Sequence, residues 1–437
     1  MSAEILIYST ITSERFIYTC QVIFKYILQA PFSVTYNQAD FINAENTIKL
    51  NYSSHSIDAN CLQIMPWDNF IYEDRLRPVI PEVVYYNNLP VIFTSSQEEI
   101  PFDIFSAVFF MVSRFEEYFP SEKDIYGRFQ EKNSLTGKYD LTKTPIVDGW
   151  CHFLKSAIEK KFNTILPATA YKITYTFDID VAYAFKGRSV LRNIFSLGKD
   201  FARLNLRNIF SKLNFVTGKI KDPFDTYDFI NSAKSIDKKF FFLLAKEKQG
   251  YNHNLNPQSG TLEKLIKKIA ATYNTGIHPS YYTPTDKALL GQEINTLKNI
   301  INLPVNISRQ HYLRLSFPET YQNLANAGIQ YDYTLMYAEQ PGFRAGTSYA
   351  FPFFNVLTNK MTGLMIQPSC VMDSMFRDDL KIPATESITT YLAVLQEVKK
   401  YGGNMVCIWH NDLLADQQDL NHPLNFRKIY IDFYKAM

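Results

Sequence analysis

The chain has 437 residues, with 45 basic and 43 acidic side chains and a formal net charge of +2. Hydrophobic residues make up 46% and charged residues 20%, which excludes a disordered or fibrous chain and fits a folded protein of about two or three domains. The near-neutral total excludes a protein that binds nucleic acid through a strongly basic surface as a whole.

In chain order, Glu4 to Tyr8 reads as a short buried strand and Glu14 to Leu28 as a helix. Phe32 to Tyr36 and Ile48 to Tyr52 read as further strands. Asp103 to Tyr118 spaces its apolar residues as a helix, which Pro120 stops. Trp150 to Lys161 is another helix. These elements make residues 1–165 a smaller mixed α/β domain, with no chemical motif and no assignable role. Residues 163–170 form a break. Lys172 to Phe177 is then a strand that delivers Asp178 and Asp180. From there the pattern alternates. The predicted strands are Lys239 to Ala245, Thr275 to His278, Val305 to Ser308, Met361 to Gln367 and Asn404 to Trp409. The predicted helices are Gly260 to Tyr273, Pro284 to Ile301, Glu319 to Ala327 and Thr385 to Tyr401. Repeated strand–helix alternation predicts a mostly parallel sheet or barrel over residues 166–437, with its site at the C-terminal strand ends.

Cys20, Cys61, Cys151, Cys370 and Cys407 are scattered and show no C-x-x-C spacing, as expected of reduced, buried thiols. The first residues carry Glu4 and no basic stretch, so no secretory leader is expected. No run approaches the roughly 18 apolar residues of a membrane span. A cytoplasmic protein, or one peripheral to the inner membrane, is the expectation.

Ionisable residues gather at the predicted strand ends. Asp178 and Asp180, two residues apart in an extended segment, point the same way. Two carboxylates on one face repel unless a cation lies between them or one is protonated, which suits a general base beside a metal ligand. The alternative is a pair of exposed carboxylates capping the next turn. His278 follows the next strand end but one, in G-I-H-P-S-Y-Y, and a neutral imidazole is a common metal ligand. Arg309 and His311 follow the strand after it, and His410 ends the last, where it could donate a proton. Arg344 sits in a glycine-flanked loop. The chain is rich in aromatics, with 34 Phe, 29 Tyr and 3 Trp, and some of these could line a site for a sugar ring.

The ordered set T-F-D-I-D, H-P-S-Y-Y, R-Q-H-Y and I-W-H resembles the family 4 carbohydrate esterases, the polysaccharide deacetylases with a NodB-like domain. With the E-E-Y-x-P and G-R-F segments at residues 116–120 and 127–129, the whole chain is similar to a two-domain, deacetylase-like group of Bacteroidetes. The resemblance implies a distorted β/α barrel, a divalent metal, zinc with cobalt or nickel as substitutes, and removal of an acetyl group from an N-acetylated sugar or glycan. It implies Asp178 as general base, Asp180 and His278 as metal ligands, and Arg309 as the cation orienting the base. It further implies the Tyr312 backbone N–H as an oxyanion donor and His410 as general acid. Arg344, Tyr282 and Trp409 are the candidates for substrate contact.

One position departs from the family pattern. Four residues after His278 a second metal histidine is expected, and Tyr282 stands there. Two protein ligands are too few for a zinc-like site. His311 is the expected replacement, and Asp332 a poorer one. The other outcome is a weak or absent metal, which would leave a catalytically silent carbohydrate-binding or scaffold protein. A third reading is hydrolysis of a non-sugar C–N bond. Residues 186–221 carry nine cations against one anion, with apolar residues at near-helical spacing. They are either a solvated helical cover or an element that meets a membrane surface or an anionic, phosphate- or lipid-linked substrate.

Overall fold

The computed structural model describes residues 4–45, 47–97, 99–187, 214–215, 217–247, 250–416 and 425–437. Most of the basic segment 186–221 therefore lies outside the described residues.

The first half holds a small parallel sheet. Strands β1 (Ile5–Ser9), β2 (Phe32–Thr35), β3 (Ile48–Tyr52) and β4 (Leu62–Ile64) pair in the order β2-β1-β3-β4. Two short strands, β5 (Val84–Tyr86) and β6 (Leu89–Val91), form an antiparallel pair. The helix predicted at 103–118 is shorter, spanning Ile104–Val112. The Asp103 carboxylate caps it by accepting from the N–H groups of Phe105 and Ser106. It ends because Arg114 adopts a left-handed φ of +53° and turns its guanidinium to Glu116 and Glu117. A 3₁₀ turn, Phe115–Tyr118, follows. A buried ion-pair network thus overrides the apolar periodicity. The helix predicted at 14–28 is an α-helix, Glu14–Cys20, that runs on as a π-helix, Gln21–Ile27.

The second half is a nine-stranded sheet. Its strands are β7 (Tyr171–Ile179), β8 (Asp237–Leu243), β9 (Asn274–His278), β10 (Ile307–Ser308), β11 (Tyr331–Asp332), β12 (Phe351–Asn355), β13 (Lys360–Ile366), β14 (Val371–Met372) and β15 (Gly403–His410). Their order is β12-β13-β11-β10-β9-β8-β7-β15-β14. Every pair is parallel except β12–β13. The mostly parallel α/β architecture matches the alternation read from sequence. A closed barrel does not: β12 and β14 stand at the two ends of the order and do not pair among the described residues.

Strand β7 shows how the sequence aims the site. Thr174, Thr176 and Asp178 share one face, while Tyr175, Phe177 and Ile179 share the other. On that second face Tyr175 packs against Trp409, Tyr430 and Phe433, and Phe177 stacks on Phe240. The two halves also pack together. One apolar cluster runs from Ile5 and Ile7 of β1 through to Phe353 and Phe354 of β12. Tyr18 lies 4.8 Å from Phe354, ring to ring, and donates its hydroxyl to the Pro352 carbonyl at 2.9 Å.

Candidate active site

Parallel strands carry their C-terminal ends to one side, and here those ends open on a cavity of about 400 Å³. The register sets Asp178 of β7 opposite His410 of β15, and His278 of β9 opposite Leu243 of β8. Asp178, Asp180, His278, His311, Tyr312 and His410 all line the cavity.

Asp178 is buried and accepts from Arg309 Nη1 at 2.8 Å. Arg309 is itself fully buried. It also donates to Thr176 Oγ1 at 2.7 Å, the Tyr333 carbonyl at 3.1 Å and Ser369 Oγ at 3.0 Å, and lies over the Phe241 ring. With that many fixed partners the guanidinium cannot swing, so it fixes the orientation of the Asp178 side chain.

Asp180, His278 and His311 bring their ligand atoms within 4.8 Å of one another. His278 Nδ1 lies 2.5 Å from the Arg309 carbonyl, so this nitrogen carries the proton and donates it. Nε2 faces Asp180 Oδ1 at 3.1 Å, an oxygen with no other partner among the described residues. An imidazole nitrogen and a carboxylate oxygen so placed call for a proton on the nitrogen or a metal cation between them. His311 Nε2 stands 3.5 Å from Asp180 Oδ2, and its Nδ1 is buried without a partner. It reaches this place because β9 and β10 stay in register past their ends. Arg309 N–H donates to the Ile277 carbonyl and His311 N–H to the Pro279 carbonyl, at 3.1 and 3.0 Å. One carboxylate and two imidazoles with open space beside them fit a divalent transition metal of the zinc type, whose catalytic sites keep a position free.

Charge and burial compete at each ligand. Burial works against ionised Asp180, but His311 and His278 outweigh it and hold the carboxyl well below its ordinary range. Burial pulls His278 down, and Asp178 and Asp180 raise it overall. At His311 burial dominates and its pKa is lowered, which favours the neutral, ligating imidazole.

His410 has a partner that sequence reasoning missed. Asp373, fully buried just beyond β14, accepts from the His410 backbone N–H at 2.8 Å, and its Oδ1 lies 2.6 Å from Nδ1. Burial lowers the imidazole, but Asp373, with Asp180 and Asp178 behind it, lifts it to about 10. His410 is therefore a cation at neutral pH, with Nε2 toward the cavity and 3.9 Å from Asp180 Oδ2. The run Cys370-Val371-Met372-Asp373 is a strand ending in a carboxylate, but it is too short to stand out by period. Tyr126 and Arg128 of the first half also line the cavity, although the G-R-F segment carried no chemical expectation.

Three expected substrate contacts stand elsewhere. Trp409 alternates away from His410 and is fully buried between Tyr391 and Tyr430. Arg344 is buried and binds Glu117 at 2.9 and 2.5 Å, tying the two halves together. Tyr282 is 43% exposed and packs edge-on to Tyr281, outside the cavity lining. Asp332, the poorer metal candidate, is taken up by Ser308 and Thr334.

Comparison with known proteins adds the following. Residues 5–163 match a family of unknown function (DUF7033). No curated protein matches the chain. Solved structures similar to it include a polysaccharide deacetylase candidate from Mycobacterium smegmatis, at 14% identity and a TM-score of 0.38, covering 61% of this chain and 85% of that one. An allantoinase is similar at 10% identity and a TM-score of 0.36, over 61% of this chain and 84% of that one. A polysaccharide deacetylase from Bacillus cereus is similar at 12% identity and a TM-score of 0.28, over 61% and 89%. These structural neighbours are weak in score and low in identity. Among the described residues, no helix is long and apolar enough to cross a membrane.

Proposed function

We propose that the chain is a metal-dependent hydrolase that removes an acetyl group from the nitrogen of an N-acetylated sugar or glycan. The observation that carries this reading is the meeting of a fixed base, a three-ligand cluster and a charged acid in one cavity. The base is Asp178 held by Arg309, the ligands are Asp180, His278 and His311, and the acid is His410 held by Asp373.

Asp180, His278 and His311 would hold the ion, zinc first and cobalt or nickel as substitutes. When bound, a divalent ion polarises the acyl carbonyl and makes water more acidic. Asp178 takes the proton of the attacking water, and Arg309 keeps that side chain aimed. The Tyr312 backbone N–H is the candidate donor to the oxyanion as charge develops there. His410 then delivers its Nε2 proton to the departing nitrogen, and the amine leaves as acetate is released. The cavity lining disfavours an anionic group. Its carboxylates Asp178, Asp180, Asp378, Asp379 and Asp412 outnumber the cations Arg128, Arg377 and His410, and Arg377 is already paired with Asp378 at 2.6 Å. A membrane surface or a phosphate- or lipid-linked portion of the substrate remains the proposal for residues 186–221, and rests on their charge alone.

The test is acetate release from N-acetylglucosamine and its oligomers, with and without added zinc, cobalt or nickel, by the wild-type chain and by Asp178→Asn. Metal-stimulated release that Asp178→Asn abolishes is the expected result. Equal release by both proteins would overturn the mechanism. Glycan binding without release or stoichiometric metal would favour a silent carbohydrate-binding protein instead.

A further inference from the structure

The helix Lys287–Ile301 buries Leu290, Ile294, Leu297 and Ile300 at the spacing of a core-facing stripe. Glu293 stands on the same stripe and is only 2% exposed. Its Oε2 accepts from the Ser280 N–H at 2.9 Å, and its Oε1 makes no hydrogen bond among the described residues. Burial, offset only in part by Ser280 and His278, raises the carboxyl to about 7. A buried carboxyl with so few partners costs stability that an apolar side chain in that stripe would not. Packing does not call for it, so its use lies in the group it holds.

That group is the amide between Pro279 and Ser280, directly after His278. A trans amide points its N–H and its carbonyl in opposite directions. Here both are engaged: the Ser280 N–H with Glu293 at 2.9 Å, and the Pro279 carbonyl with the His311 N–H at 3.0 Å. One amide plane is thus pinned between the helix and the backbone that carries the second imidazole. Two further bonds close the frame. His278 Nδ1 donates to the Arg309 carbonyl, and Thr283 Oγ1 donates to the Ser280 carbonyl at 2.7 Å. Hydrogen bonds in such a chain polarise one another, so an acceptor on the N–H strengthens the carbonyl's bond to His311. Without that acceptor the amide can tilt, and His278 and His311 lose the element that fixes one against the other.

We infer that Glu293 is a positioning residue: it anchors the Pro279–Ser280 amide and, through it, sets the spacing of His278 and His311. Glu293 touches neither metal nor substrate and acts through Ser280. What the spacing serves rests on the metal cluster proposed above, whereas the anchoring itself stands on the hydrogen bonds.

The test sets Glu293→Gln, which keeps the length and an acceptor oxygen but not the charge, against Glu293→Asp, which keeps the charge but is one methylene short. Glu293→Leu, which suits the apolar stripe, is the second loss variant, so misfolding of one leaves the other to decide. The full chain is titrated with cobalt, followed by the visible absorption of the ion. Without metal, hydrogen–deuterium exchange is measured over residues 278–283 and 309–314. Glu293→Gln should match the wild-type spectrum and exchange, with affinity within about threefold. Glu293→Asp and Glu293→Leu should bind cobalt about tenfold more weakly, the scale of an outer-shell change, with an altered spectrum. Both should exchange faster over the two segments. Wild-type behaviour of a folded loss variant in either readout would overturn the role. So would a loss in Glu293→Gln as large as in Glu293→Asp, because charge and not the hydrogen bond would then be at work. A wild-type chain that binds no cobalt would refute the metal cluster, and the exchange comparison alone would then decide the anchoring.

Discussion

Asp373 presents Oδ2 to the His410 backbone N–H and Oδ1 to Nδ1, so replacing it by Asn leaves one acceptor oxygen of the two and removes one buried negative charge. At about 1.4 kcal/mol per pH unit, lifting His410 from its ordinary 6.5 to about 10 corresponds to on the order of 5 kcal/mol in favour of the imidazolium. Burial acts the other way while Asp180 and Asp178 still raise it, so without the Asp373 charge the imidazole should titrate well below about 10. The protonated fraction at pH 8 then falls, and proton delivery by His410 should fall with it, by at most about thirtyfold if the imidazole returns to its ordinary 6.5. The sign for stability follows. Because the folded-state pKa is raised, His410 contributes stability that is fully present below about 6.5 and is lost as pH rises through about 10. Asp373→Asn should remove that dependence. The assay is proton NMR titration of the imidazole Cε1–H resonances between pH 5 and 10.5, with His410 identified by its loss in His410→Gln. A His410 midpoint unchanged in Asp373→Asn would refute the reasoning, whatever the enzyme assay gives.

Three further outcomes are expected. The chain should bind one divalent ion, and His311→Ala should weaken that binding at least about tenfold, since even outer-shell changes cost that much. Competition with a metal indicator checks it, and wild-type affinity in His311→Ala would exclude His311 as a ligand. Arg344→Met should lower the unfolding free energy in urea by about 3–5 kcal/mol, because it strips a fully buried partner from Glu117. Metal affinity should stay unchanged in that variant. Asp148 is fully buried with one oxygen unpartnered, and burial raises its pKa to about 7. Between pH 4 and 7 this carboxyl therefore binds more proton in the native state than in the unfolded one, and its contribution to stability falls as pH rises. Asp148→Asn should flatten that slope in thermal melts from pH 4 to 7, and an unaltered slope would show that Asp148 does not cause it.

Much of the site was legible because strand ends obey a simple rule. Asp178 and Asp180 follow a strand of clear alternation, His278 and His410 end two others, and parallel strands bring such ends together. Arg309 was legible as a strand-end cation, and the structure pairs it with Asp178. The same alternation, carried one residue further, would have turned Trp409 away from His410. Arg344 and Arg114 were not legible, because a buried ion network leaves no periodic trace in the chain. Asp373 was hidden by a two-residue strand.

The sequence by itself determined local matters: the period-two faces of β7 and β15, the helices between strands, and the residue types at each strand end. Only tertiary structure decided who meets whom. His311 stands beside Asp180 because β9 and β10 stay in register beyond their last paired residues. Tyr126 enters the cavity from a turn that lies 155 residues before the tyrosine that anchors it. Such contacts depend on distances across the fold, and a linear pattern records only distances along the chain.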